Sequence, residues 1–209
     1  YVNANYAIAT SSCTTALHVA LLSMGIKKDD EVIVPSFTFI ATANSILYAG
    51  AKPIFVDIDE KTYNIDPAKI EEKITEKTKA IIPVHQIGLP TYIDKINKIA
   101  DKYNLKVLED AACSLGSMYK GKMVGSINTA CFSFHPRKSI TTGEGGMIVT
   151  NDEEIEKLSK ILRSHGASVS DLSRHNSSNI VFEEYPYLGY NYRMTDIQAS
   201  IGIEQFKKL

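Results

Sequence analysis

The sequence predicts an α/β protein: a mixed, mostly parallel sheet between two layers of helices. Two observations predict it. From Tyr6 to Asp110, short apolar runs alternate with helical stretches, the order that builds a parallel sheet covered on both faces. After Asp110 the pattern changes, because Tyr119-Lys120-Gly121-Lys122 reads as a hairpin turn, which suggests a mixed sheet. No internal repeat, low-complexity segment or domain-length linker interrupts residues 1–209, so one domain is expected.

The elements follow in order. Tyr6–Thr10 is a short apolar strand, and Ser11–Thr15 is a polar cluster suited to cap the buried helix Ala16–Leu22. Inside that helix His18 is expected to be packed rather than reactive. Glu31–Pro35 is a strand, Phe39–Tyr48 a helix that stops at Gly50, and Lys52–Asp57 a strand. Asp66 as cap and Pro67 at the first helical position start a helix through Ile74. Ala80–His85 is a strand, Tyr92–Tyr103 a helix and Lys106–Asp110 a strand. Strands Ala130–Phe134 and Gly146–Thr150 flank a loop, and Asp152 caps a helix through Arg163. Ser164–Leu188 is polar and irregular, a mobile loop in expectation, and Thr195–Leu209 is an amphipathic helix.

Composition bounds the partners. Apolar residues make up 44% and charged residues 22% of the 209, ordinary for a soluble protein. A net charge of −1 without long charged runs argues against nucleic acid or an anionic membrane as the main partner. No apolar run is long enough to span a bilayer, and no signal peptide opens the chain. Cys13, Cys113 and Cys131 are odd in number and lack metal-ligand spacing, so no metal is expected and a reducing cytoplasm fits best.

The loop between the last two strands carries the chemistry. It holds one lysine, several hydroxyls and Gly143, Gly145 and Gly146. Burying an ammonium is costly, and desolvation lowers a lysine pKa. A neutral Lys138 can then form a Schiff base with a carbonyl; otherwise it is a solvated loop lysine. Ligands of open α/β sheets gather at the carboxyl ends of the strands, and Asp110 stands at such an end. Its carboxylate either holds a protonated ring nitrogen or caps the next turn. Ser133 ends the strand before Lys138 and can donate to a phosphate. Phe39 either stacks on a flat ring or joins the core. The start of the first helix is an anion site or a simple cap. The three glycines form an anion nest or a tight turn, and match neither the dinucleotide fingerprint nor the Walker pattern. Together these are the parts of a pyridoxal phosphate site.

Six stretches carry a family resemblance. They are Ser12-Cys13-Thr14-Thr15-Ala16-Leu17, Pro35–Phe39, Phe55–Asp59, Glu109-Asp110-Ala111-Ala112, the loop Ser133-Phe134-His135-Pro136-Arg137-Lys138-Ser139-Ile140-Thr141-Thr142-Gly143-Glu144-Gly145-Gly146, and Gly189–Asp196. The chain resembles the nucleotide-sugar aminotransferases of the DegT/DnrJ/StrS group, within the fold-type I pyridoxal phosphate enzymes. The resemblance implies a three-layer cofactor-binding large domain and transfer of an amino group, from glutamate, to a nucleotide-linked keto sugar. It implies Lys138 as the Schiff-base residue and Asp110 as the pyridinium partner. Phe39 would be the stacking ring, and Thr14, Thr15 and Ser133 the phosphate ligands. Asn191 would reach the phosphate of a neighbouring subunit, hence a homodimer with a shared site. Family members usually carry Gln or His at the place of Cys113, and often His-Leu-Tyr-Gly at the place of His85-Gln86-Ile87-Gly88, so the substrate is left open. They also extend at both ends, so residues 1–209 are expected to lack a small C-terminal domain. A dehydratase branch with histidine in place of the lysine disagrees with Lys138. A non-catalytic regulator of the same fold remains an alternative, although no basic recognition helix is present. A nucleotide-binding oxidoreductase lacks its glycine fingerprint here.

Overall fold

The computed structural model describes residues 1–168 and 184–209. Among the described residues, nine strands form a seven-stranded sheet and a two-stranded hairpin. The strands are β1 (Tyr6–Thr10), β2 (Glu31–Pro35), β3 (Lys52–Val56), β4 (Thr78–Ile81), β5 (Lys106–Asp110), β6 (Met118–Tyr119), β7 (Lys122–Met123), β8 (Thr129–Ser133) and β9 (Gly146–Thr150). The helices are α1 (Cys13–Ser23), α2 (Ile40–Tyr48), α3 (Ile93–Tyr103), α4 (Glu153–Leu162) and α5 (Asp196–Phe206). The sheet order is β1-β9-β8-β5-β4-β2-β3, and β9 runs antiparallel to both its neighbours while the other pairs are parallel. The expected mixed, mostly parallel α/β sheet is what the chain forms.

Burial explains the composition of the strands. Val32, Ile33 and Val34 in β2 are wholly buried, as are Ala130 and Cys131 in β8, because helices cover both faces. On one face α1 packs with Ala16, Leu17, Ala20 and Leu21 against Ile8, Leu108, Cys131 and Ile148. On the other, Ile93, Ile96 and Ile99 of α3 meet Ile33, Ile81 and Val56. The α3 spacing of three residues is one stripe of a helix, and its opposite face is charged. His18 is buried among the rings of Tyr48, Tyr190 and Tyr192, as expected of a packed histidine. Burial lowers its proton affinity.

Three elements differ from expectation. The segment 67–74 is two 3-10 turns, Pro67–Lys69 and Glu71–Lys73, although Asp66 caps as read, accepting from Ala68 N–H at 3.0 Å. Eight residues offer too few intrahelical bonds to offset the cost of nucleating an α-helix. The strand expected at Ala80–His85 runs from Thr78 to Ile81, because Pro83 has no N–H to continue the ladder; Val84 rejoins Asp110 as a single bridge. The stretch Ser164–Leu188 is described only at its flanks, since 169–183 lie outside the described residues. The hairpin is as read: Lys120 and Gly121 both have positive φ, 49° and 76°, the pairing that a tight two-residue turn requires. Among the described residues no helix is long and apolar enough to cross a membrane, and no group of His, Cys, Asp or Glu is placed to hold a metal ion.

Candidate active site

The carboxyl ends of the parallel strands open into a cleft of about 420 Å³. Thr14, Phe39, Asp110, Ser133 and Lys138 all line it, so five of the seven sequence-predicted site residues meet there. Each arrives by a different element: Thr14 on the first turn of α1, Phe39 as the N-cap of α2, Asp110 and Ser133 at the ends of β5 and β8, Lys138 on the loop to β9.

Thr15 and Asn191 do not line this cleft. Thr15 builds the start of α1 instead. Its N–H donates to Ser12 Oγ at 3.2 Å, and its hydroxyl accepts from Ser12 N–H at 3.1 Å. This capping box engages the N–H groups of Ser12 and Thr15. Of the four amides a helix start leaves over, those of Cys13 and Thr14 remain, both on cleft residues, with the positive end of the helix dipole behind them. β9 begins against this turn. A Cβ on Gly146 would stand 2.4 Å from the Ser12 carbonyl carbon, so only glycine lets the strand approach. Asn191 is exposed and bridges Ser164.

Asp110 is buried, yet aimed into the cleft. The Thr42 hydroxyl donates to its Oδ2 at 2.7 Å and the Ala112 N–H to its Oδ1 at 3.2 Å. The Thr38 hydroxyl stands 2.8 Å behind that of Thr42, one helical turn apart. Burial pushes the Asp110 carboxyl above its ordinary proton affinity, while Thr42, Ala112, His85 and Lys138 pull it back. His85 belongs to a second buried set. Its Nδ1 accepts from Thr91 N–H at 3.1 Å, so Nε2 carries the proton and faces Glu109 Oε2 at 2.7 Å. Asn128 Nδ2 donates to the other Glu109 oxygen at 3.0 Å.

Lys138 is half-buried in an open cleft rather than sealed between strands, which corrects the expectation of a desolvated amine. Its backbone N–H donates to His135 O at 2.9 Å and its amine to Cys113 Sγ at 2.9 Å. Phe39 is 74% exposed, so it is a wall of the cleft and not core. Ser133 is buried at the cleft floor. Of the three glycines, Gly143 has φ +82° and makes a turn, while Gly145 and Gly146 allow close packing. Sequence reasoning missed Thr42 and Thr38, whose i, i+4 spacing beside a strand end was the available signal. It also missed the His85–Glu109 pair, signalled by two polar residues inside apolar runs.

A mixed α/β sheet with a lysine loop, a strand-end aspartate and a helix start in one cleft defines an aminotransferase-like class. The chain belongs to the DegT/DnrJ/EryC1/StrS aminotransferase family, whose model matches residues 1–209. It is 48% identical over 210 residues to GDP-perosamine synthase of Caulobacter vibrioides, covering 100% of this chain and 54% of that protein. The aminotransferase from Psychrobacter cryohalolentis superposes with a TM-score of 0.93 at 42% identity, over 99% of this chain and 53% of that one. NtdA from Bacillus subtilis, solved with bound cofactor PMP, superposes at 0.85 with 39% identity, over 99% of this chain and 45% of that one. The chain spans about half the length of the curated relatives it matches.

Proposed function

We propose that this chain is the cofactor-binding large domain of a pyridoxal phosphate-dependent sugar aminotransferase. It takes an amino group from glutamate and delivers it to a nucleotide-linked keto sugar. The observation that carries this reading is the convergence of Lys138, Asp110, Phe39 and the start of α1 on one cleft. The residues fit the cofactor. A buried carboxyl with raised proton affinity is relieved by a protonated ring nitrogen beside it. The amides at the start of α1, with Thr14 and Ser133, suit a phosphate. An exposed ring at the cleft wall suits a flat heterocycle.

When bound, pyridoxal phosphate supplies a carbonyl for an amine and a conjugated ring that takes up negative charge. The chain's residues do the rest. Lys138 would hold the cofactor through its carbonyl, and its amine, inside the cleft, is the group placed to take up and return a proton there. Asp110, held in place by Thr42 and Ala112, would be the carboxyl that keeps a ring nitrogen protonated. Leu17, Phe39 and Ala112 present apolar surface that limits water. Asn191, outside this cleft, serves the phosphate site of a second copy, which makes the working unit a homodimer.

Absorption spectra of the full-length protein with added pyridoxal phosphate test the reading. A yellow band that bleaches on glutamate and returns on a nucleotide-linked keto sugar is expected. A band that glutamate leaves unchanged points instead to a non-catalytic, sensory role.

A further inference from the structure

Cys113 is exposed, and its sulfur stands 2.9 Å from Lys138 Nζ. The two residues come from separate elements, the turn after β5 and the loop before β9. Both backbones are fixed. In the turn, Ala112 N–H donates to Asp110 Oδ1 at 3.2 Å and Ser114 N–H to Ala111 O at 3.0 Å. The Gly88 backbone packs so closely on it that a Cβ at 88 would stand 3.0 Å from Cys113 O. In the loop, Lys138 N–H donates to His135 O at 2.9 Å and Phe134 N–H to Gly145 O at 2.9 Å. The sulfur is therefore a set point, and the amine reaches it through side-chain torsions alone.

Other titratable groups share the cleft wall: Asp110, His85, His135, Arg137, Glu144 and Cys13. Several are engaged elsewhere. Asp110 is held by Thr42 and Ala112, and His85 by Glu109. Glu144 stands 3.8 Å from His135. Burial pushes the Cys13 thiol well above its ordinary value, which keeps it a neutral packing group. Among the described residues, Cys113 is the hydrogen-bond partner of the Lys138 amine.

We propose that Cys113 is a positioning residue for Lys138: its sulfur accepts a hydrogen bond from the amine whenever that amine is not bonded to the cofactor carbonyl. A free lysine side chain has many rotamers, and a fixed acceptor inside the cleft confines the search. The contact holds Nζ beside the turn that follows Asp110 at the end of β5. No covalent step is involved; the bond is broken each time Nζ attacks a carbonyl and re-formed each time it is released. The inference rests on Lys138 being the residue that bonds the cofactor.

The test uses full-length protein freed of cofactor, as wild type, Cys113→Ala and Cys113→Ser. The rate of covalent capture of added pyridoxal phosphate is followed by absorbance. Alanine, which accepts no hydrogen bond, should slow capture roughly two- to tenfold, the worth of one such bond. Serine, whose oxygen accepts, should recover most of the rate. A wild-type rate in the alanine variant overturns the proposal, as does equal slowing in both variants. Borohydride trapping in wild type separates this failure from failure of the parent reading: an adduct on a lysine other than Lys138 sinks both.

Discussion

Two carboxylates, Asp110 in the cleft and Asp94 at the start of α3, are both hydrogen-bonded, yet their surroundings push them in opposite directions. Asp94 takes a bond from Tyr119 Oη at 2.6 Å and another from Lys120 Nζ at 2.7 Å. Those partners lower its pKa to about 2. Asp110 is held at comparable distances by a hydroxyl and an amide, but burial dominates and its proton affinity rises. The hairpin region around Asp94 brings a cation to its carboxylate. In the cleft region around Asp110, the Lys138 amine bonds a cysteine instead. A buried carboxyl without a bonded cation is a poor way to stabilise a fold and a good way to hold a cationic ligand.

The comparison breaks most completely at the lysine. Lys138→Ala should abolish the borohydride-trapped bond between protein and cofactor, and turnover with it, because no other amine is expected to occupy its place. Peptide mass spectrometry after reduction decides it, and an adduct elsewhere would remove Lys138 from the centre of the mechanism.

Asp110→Ala should come next. The cofactor should still be captured, but turnover should fall by at least ~10²–10⁴-fold, the effect of losing a group that fixes a catalytic proton. Single-turnover absorbance with glutamate measures it. Near-normal rates would mean another acid protonates the ring.

Much of the fold and of the cleft was legible in the sequence, the Asp94 pairing was not, and what was hidden was hidden for definite reasons. The alternation of apolar runs with capped helices located the sheet, and the lysine loop and strand-end aspartate located the cleft. The polar cluster at the start of α1 left a cap and an anion site both open, and the structure places the Thr15 hydroxyl in the capping box, a choice that sequence alone does not make. The depth of Lys138 was overestimated, since flanking strands fix where a loop starts and not how far its side chains are buried. Sheet order brings Cys113 to Lys138 and His85 to Glu109, and neither pairing has a local spacing that reveals it.

Stability without cofactor sharpens the comparison in the opposite sense. The folded-state proton affinity of Asp110 is raised, so its favourable contribution is complete below the unfolded carboxylate range and is lost as pH rises through the folded value. Asp110→Asn should therefore be more thermostable than wild type at neutral pH, by about 2–4 °C for a gain of ~1 kcal/mol in a domain of this size. The difference should shrink towards pH 4. Added cofactor should reverse the order, because the wild-type carboxylate then has its cation. A cofactor-free variant that melts lower than wild type at neutral pH would show that the Thr42 and Ala112 bonds outweigh burial.

Asp94 should give the smallest effect and the opposite pH sign. Its pKa is depressed, so its contribution is present above the unfolded carboxylate value of about 3.9 and is lost as pH falls towards 2. Asp94 and Lys120 side chains are 38% and 66% exposed, so water and salt screen the pair. Asp94→Asn should cost under about 1 kcal/mol at neutral pH, within the range of exposed ion pairs. The gap to wild type should close between about pH 4 and 2, and narrow with added salt, when followed by thermal melts. A gap that persists at pH 2 and ignores salt would place the stabilisation in the Tyr119 contact itself, and the contrast with Asp110 would then be one of packing rather than of charge.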